Sequence, residues 1–442
     1  MGAQINTRNI ILDILTEVLD RGQYSGKVLS MALSKYQYIT KEDRAFISRV
    51  SMGTIERLIS IDYIADSFSK VKTSKMKPII RNIIRMGIYQ IVFMDRTDDY
   101  AACNEAVKLA AKRGFASLKG FVNGVLRTVS REKDKIVYPS KAVLYSVPDW
   151  LFDMWNGIYG GDITDRILAS QYIDRPLTIR CNERKCSVKE LLENLREDGV
   201  TATVCSDVPG ALMLEKMDYL GAIDSFCRGE FWVQDLSSML AAVAADAKEG
   251  DKVLDVCSVP GGKSLCVAMN DRTGEIICCD ISDNKTALID ENIERLGIDN
   301  MSSMVWDATV HNPEWESAFD LVIADVPCSG LGILSKKPDI KYNTDETAIS
   351  QLSGLQKQIL ANAASYVKKG GVLMYSTCTL NPRENLDNVH WLLDNYDFEL
   401  KDFSDKVPEN IYNNTSKDGY LEILPGINSD YDGFFMAKLV RK

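Results

Sequence analysis

Histidine is scarce in this chain of 442 residues, with only His311 and His390, and none of its eleven cysteines forms a CxxC pair. Zinc-ligand spacings and a disulfide framework are therefore both missing, so no metal is expected and the thiols should be reduced packing residues unless a chemical context singles them out. No apolar run approaches the roughly 18 residues that span a bilayer. The N-terminus MGAQINTRNI lacks the basic-then-apolar pattern of a secretory signal. A cytoplasmic protein without membrane contact is the expectation. A G-x-G-x-x-G fingerprint is also lacking. The stretch Cys257 to Ser264, CSVPGGKS, misses the phosphate loop G-x-x-x-x-G-K-[ST] because cysteine stands where glycine is required. Dinucleotide and nucleoside-triphosphate sites are thereby disfavoured.

What is present is a globular composition, 45% hydrophobic, in a chain long enough for two or three domains. The net charge of −10 argues at first against a polyanionic partner, but it is unevenly spread. Residues 1–140 carry 23 basic and 14 acidic groups, residues 141–230 carry 10 and 15, and residues 231–442 carry 19 and 33. A basic head precedes an acidic body, and such a head suits electrostatic contact with a polyanion. Its basic groups include Lys70, Lys72, Lys75, Lys77, Arg81, Arg85, Lys112, Arg113, Lys119 and Arg127.

Three textures follow one another. In residues 1–140, NIILDILTEVLD, RLISIDYIADSF and KPIIRNIIRMGIYQIVFM repeat apolar residues at three- and four-residue steps, which predicts an all-α helical bundle with Pro78 in a first helical turn. Residues 141–230 offer short β-like runs (VPDWL, RPLTIRCN, ATVCSDVPGALML, FWVQD) and one helical stretch, VKELLENLREDG, and so a small α+β segment. In residues 231–442 strands alternate with helices: KVLDVCS, EIICCD, SMVWD, FDLVIAD and GGVLMYSTC, with helical stretches such as NKTALIDENIERLG between them. That alternation predicts a doubly wound α/β domain with a parallel, Rossmann-like sheet, whose ligand lies beyond the carboxyl ends of the strands.

Those ends carry the chemistry. The first leads into Cys257, Ser258, Val259, Pro260, Gly261, Gly262 and Lys263, a loop that lets backbone approach a ligand. The second ends in Asp280, 25 residues after Asp255, at the distance of a carboxylate that accepts from ribose hydroxyls. The third ends in Trp306-Asp307, a carboxylate for an adenine amino group. Each of these aspartates has the plainer alternative of a helix cap. The fourth and fifth end in Asp325-Val-Pro-Cys328 and Thr377-Cys378. A thiol nucleophile, a neighbouring carboxyl and a second thiol fit covalent activation of a pyrimidine ring.

CSVPGGK, FDLVIADVPCSGLGILSKKPDIKY, YSTCTLNPRENLDNV and DGFFMAKLV resemble the signature motifs of S-adenosylmethionine-dependent RNA cytosine-5 methyltransferases. ACNEAVKLAAKRGFASLKGFVNGVLR resembles the NusB-like domain fused to them in the bacterial RsmB (Sun) type, which acts on small-subunit ribosomal RNA. The resemblance covers nearly the whole chain and is weakest between about 140 and 230. It departs at Ser258-Val259, where the family usually has two alanines, and at Val326, where alanine is common. It implies a class I methyltransferase domain, a monomer acting on unassembled or partly assembled ribosomal RNA, and S-adenosyl-L-methionine on Cys257 to Lys263, Asp280, Asp307 and Asp325. It further implies Cys378 as nucleophile, Asp325 as hydrogen-bonding partner of the base and Cys328 as the group assisting release. Lys336, Lys337 and Lys341 are expected to hold flanking RNA backbone. A transfer-RNA cytosine-5 methyltransferase shares this chemistry. A non-catalytic RNA-binding module would have lost these residues, and an amino-methylating enzyme would carry a D/N-P-P-Y motif where this chain reads DVPC.

Overall fold

The computed structural model describes residues 6–36, 38–95, 97–217, 219–269, 273–428 and 431–442. Two compact units result. One runs to Ala169 and takes in Leu334–Asn343; the other holds Ser170–Ile333 and Thr344–Lys442.

The first unit is helical. Its helices Thr7–Leu19, Ser25–Lys35, Lys41–Glu56, Leu58–Phe68, Pro78–Val92, Asp99–Lys112 and Lys119–Glu132 bury one isoleucine-rich core, with Ile11, Leu15, Ile47, Ile61, Ile64, Ile83 and Ile88 at 0% exposure. The apolar periodicity produces this stripe, and Asn6 starts the first helix by accepting from Asn9 N at 3.0 Å. Pro78 does stand in a first turn. The run VPDWL is not β-like: Pro148 precedes the helix Asp149–Tyr159, which buries Leu151 and Trp155 four residues apart on one face.

Two basic groups expected at an RNA surface are inside this unit. Arg85, 7% exposed, makes a two-pronged ion pair with Asp62 at 2.8 and 2.6 Å. It therefore neutralises a neighbour and is not available to phosphate. Lys341 is fully buried and donates to Glu56 O at 2.8 Å, as Tyr342 Oη does at 3.1 Å, so both serve a carbonyl left open at the end of the helix Lys41–Glu56. On the same segment Asp339 accepts from Ser25 N at 3.2 Å and from Ser25 Oγ, and so caps the helix Ser25–Lys35, which has no side-chain cap of its own. Lys336 and Lys337 remain exposed, as do Lys70, Lys72, Lys75, Lys77, Lys112 and Lys119.

The second unit has two sheets. The smaller is antiparallel, in the order β2-β3-β1-β4, from β1 (Leu177–Cys181), β2 (Thr201–Val204), β3 (Ala211–Lys216) and β4 (Phe231–Val233). Between β1 and β2 runs the helix Val188–Glu197, opened by a capping box of Ser187 and Glu190 and held by buried Leu191 and Leu195. The larger sheet comprises β5 (Val253–Asp255), β6 (Ile276–Asp280), β7 (Met301–Val305), β8 (Phe319–Asp325), β9 (Val367–Thr377), β10 (Phe398–Leu400), β11 (Tyr420–Ile423) and β12 (Phe434–Arg441). Its order is β10-β12-β9-β8-β5-β6-β7, with β11 beside β12.

Strands β5 to β9 pair in parallel, as expected of a doubly wound sheet. Their side chains alternate between two cores: Leu321 and Ile323 face one, Val322 and Ala324 the other. The sheet is not parallel throughout, because β12 runs antiparallel to β9, β10 and β11. Among the described residues no helix separates β11 from β12, and only a crossover of a dozen or more residues would turn the chain for a parallel neighbour.

Burial pushes the Lys341 ammonium down to about 7, against the opposing pull of Glu56. Unfolding then takes up a proton between about pH 7 and the ordinary lysine value near 10.5, so stability rises with pH across that window. Lys341→Met removes the effect. The melting temperature of Lys341→Met minus that of wild type, read by scanning fluorimetry, should be most positive at and below pH 7 and should fall as pH approaches about 10.

Candidate active site

Strand β5 abuts both β6 and β8, so the order reverses there and the crevice opens beyond the carboxyl ends of these strands. On one side of it, β8 and β9 lie in register with Asp325 opposite Ser376. Each chain leaves the sheet just beyond. Cys328 and Cys378 follow, and their sulfurs come within 3.3 Å across 50 residues of sequence. The loops are tied by Gly332 N donating to Cys378 O at 3.0 Å and by Ser329 Oγ against Thr379 Oγ1 at 2.7 Å.

The two thiols are half-buried. The hydrogen bond to Cys378 pushes Cys328 well above the usual thiol range, and burial adds to this. Other thiols are raised chiefly by burial: Cys257 strongly, Cys278 to about 12, and also Cys103, Cys181, Cys186, Cys266 and Cys279. They are packing residues.

Asp325 links the cysteines to the glycine loop. Its Oδ2 accepts from Lys263 Nζ at 2.6 Å and its Oδ1 from Ser376 Oγ at 2.7 Å. Lys263 also donates to Ser238 Oγ at 2.9 Å. Asp255, at the end of β5, accepts from Ser264 Oγ at 2.6 Å; burial raises it to about 6, with the field of Asp325 adding. Gly261 sits at φ +96°, a conformation costly to a side chain, and opens the helix Gly262–Ala268. A pocket of about 180 Å³ lies against this loop, with Ser258, Val259, Pro260, Gly262, Lys263 and Asp325 in its wall beside Gln234, Asp235 and Ser238.

Cys257, Gly261, Asp280 and Asp307 lie outside that wall. Asp280 fastens the loop from behind, accepting from Val259 N at 3.2 Å while Oδ1 takes Ile281 N and Lys285 Nζ at 2.8 and 2.7 Å. Asp307 Oδ1 accepts from Thr309 N at 2.9 Å and Thr309 Oγ1 at 2.7 Å, the local turn that an aspartate readily makes. Its strand end stands beside that of Asp280, since Trp306 N donates to Asp280 O at 3.0 Å. Gln234, Asp235, Ser238 and Ser376 escaped notice in the sequence because short polar residues at strand ends and helix starts carry no spacing signal.

The wall is suited to a cationic group. Asp235, Asp255 and Asp325 supply negative charge, while Lys263, the basic residue in the wall, is already engaged by Asp325. Gly262 lets the Gln234 side chain lie against the loop, since a Cβ there would press to 3.3 Å of it.

Comparison with known proteins bears on this. A family model described as 16S rRNA methyltransferase RsmB/F matches residues 242–440, a NusB family model residues 5–131, and an RsmF/B-like ferredoxin-like domain residues 147–218. The chain is 34% identical over 99% of both lengths to a probable ribosomal RNA small subunit methyltransferase B of Bacillus subtilis. It is 31% identical to the corresponding protein of Synechocystis over 98% of this chain and 99% of that one. A solved methyltransferase homologue from Pyrococcus horikoshii superposes with a TM-score of 0.60 at 27% identity, covering 69% of this chain and 100% of the other.

Removing one partner of a buried ion pair costs about 3–5 kcal/mol. Lys263 is 7% exposed but Asp325 is 33% exposed and partly hydrated. Lys263→Met should therefore lower the stability of the second unit by about 2 kcal/mol in denaturant unfolding, and a loss under about 0.5 kcal/mol would show that the pair is not formed in solution.

Proposed function

Because the chain belongs to the 16S rRNA methyltransferase RsmB/F family, we propose that it methylates carbon 5 of a cytosine in small-subunit ribosomal RNA through a covalent cysteine adduct. The observation that carries this reading is the pair of sulfurs 3.3 Å apart at the ends of adjacent strands, next to a carboxylate that also walls the pocket. S-adenosylmethionine, when bound, supplies a methyl group on a cationic sulfur. Ser258, Val259, Pro260, Gly262 and Lys263 hold it, with Asp280 setting the loop, and Asp280 and Asp307 at neighbouring strand ends meet its ribose and adenine.

Carbon 5 of cytosine is a poor nucleophile. Addition of the Cys378 thiolate to carbon 6 breaks the ring's aromaticity and leaves carbon 5 enamine-like, able to accept a methyl group. As the thiolate adds, ring nitrogen 3 takes up a proton from water, and the N–H so formed donates to the Asp325 carboxylate, whose two oxygens are already turned by Lys263 and Ser376, so it is oriented beforehand. Once carbon 5 carries the methyl group, its proton passes to water, nitrogen 3 gives its proton back, the carbon 6–sulfur bond breaks, the ring is restored and Cys378 leaves as a thiolate. Cys328, in contact with Cys378, assists this elimination. The target base must leave its stack to reach the crevice, at a cost of a few kcal/mol. Exposed lysines of the helical unit, four of them between Lys70 and Lys77, supply grip on the RNA backbone.

Cys378→Ala should reduce methylation to background while calorimetric S-adenosylmethionine affinity stays within twofold of wild type; full turnover in that variant refutes the assignment. Cys328→Ala should accumulate an RNA adduct seen as a denaturant-resistant band, and active protein without such a band removes Cys328 from the release step. Changing Lys70, Lys72, Lys75 and Lys77 together to glutamine should weaken RNA binding and flatten the slope of log K against log salt by about 0.7–0.9 for each phosphate that is no longer neutralised. An unchanged slope places the grip elsewhere.

A further inference from the structure

Glu384 has no exposure to solvent, and its carboxylate is held by four neutral donors. Oε1 accepts from Ser329 N at 2.8 Å and Gln356 Nε2 at 3.0 Å; Oε2 accepts from Ser329 Oγ at 2.6 Å and Asn381 Nδ2 at 3.0 Å. These donors come from three stretches. Ser329 follows Cys328, and Asn381 lies three residues after Cys378. Gln356, in the helix Glu346–Tyr366, also donates to Pro327 O at 2.9 Å, just before Cys328. The backbone of Glu384 is fixed as well, its carbonyl accepting from Tyr375 Oη and from Asn388 Nδ2 at 3.2 Å. One carboxylate therefore fastens both cysteine-bearing loops.

Burying a carboxylate is costly unless every lone pair finds a donor, and a neutral amide cannot replace it here. Glutamine accepts on one oxygen and would turn an NH₂ group against two donors. We propose that Glu384 is a positioning residue of the methyl-transfer reaction, clamping the Cys328 and Cys378 loops so that the two sulfurs face each other at working distance. Its charge also adds to the forces that keep Cys328 protonated. The chemical meaning of the clamp rests on the cytosine-5 reading; its geometry does not.

Full-length Glu384→Gln and Ser329→Ala test it, with S-adenosylhomocysteine calorimetry to confirm an intact pocket. In the RNA-free protein, the azo oxidant diamide takes one hydrogen from each thiol, becoming the hydrazine as the Cys328–Cys378 bond forms. Peptide mass mapping follows the rate. Glu384→Gln should close this disulfide several-fold more slowly than wild type and lose roughly 100-fold in kcat with little change in KM for RNA, the cost of a misplacement near 1 Å. Ser329→Ala, which removes only a hydroxyl, should fall between and carries the test if Glu384→Gln fails to bind S-adenosylhomocysteine. Unchanged closure overturns the clamp whether or not kcat falls, and so does kcat within twofold of wild type. If wild type methylates no cytosine while closure still depends on Glu384, the cytosine-5 reading falls and the clamp stands.

Discussion

Parallel pairing of β8 with β9 is the constraint on which the site depends, because it carries two chain exits to the same edge of the sheet. With Asp325 opposite Ser376, a cysteine three residues beyond the one and a cysteine two residues beyond the other are brought together without any local sequence relation between them. A one-residue slip would turn every side chain of one strand to the opposite face. Both faces here are filled, Leu321 and Ile323 in one core and Val322 and Ala324 in the other, so the register that places the sulfurs is the register that packs the domain. The hydroxyl of Ser376 then meets Asp325, and Asp325 meets Lys263 from the glycine loop, which joins the pocket to the thiols through one carboxylate.

What was legible in the sequence follows from period and punctuation. Helical stretches such as KPIIRNIIRMGIYQIVFM became helices because their apolar residues recur at helical steps, and EIICCD and FDLVIAD became strands because short apolar runs ending in a polar residue and a turn have few other fates. The direction of β12 was not legible, since DGFFMAKLV announces a strand and says nothing of its partner. VPDWL misled because Pro148 looks like a breaker; proline is equally at home at a helix start, and only the burial of Leu151 and Trp155 together distinguishes the two.

The basic residues show the same limit from another side. Charge is visible in a sequence and its partner is not. Arg85 answers Asp62, 23 residues earlier, and Lys341 answers the carbonyl of Glu56, 285 residues earlier. No local pattern separates these from Lys70 or Lys336, which remain exposed. Glu384 was passed over for the converse reason: in NPREN it looks like a solvated charge, and its function depends on four donors, three of which come from Ser329 and Gln356, 55 and 28 residues earlier.

Electrostatics connect the pocket to the choice among eleven thiols. Asp255, Asp280 and Asp325 around the glycine loop oppose any further negative charge, and after burial they are what raises Cys257. A thiolate is therefore disfavoured at Cys257, in the glycine loop. The same carboxylates favour a cation in the pocket. Cys328 is raised by a different partner, the sulfur of Cys378, with Glu384 contributing. The acidic excess of residues 231–442, 33 acidic groups against 19 basic, thus has a local use: it suits a cation in the pocket and keeps the Cys257 thiol beside it protonated.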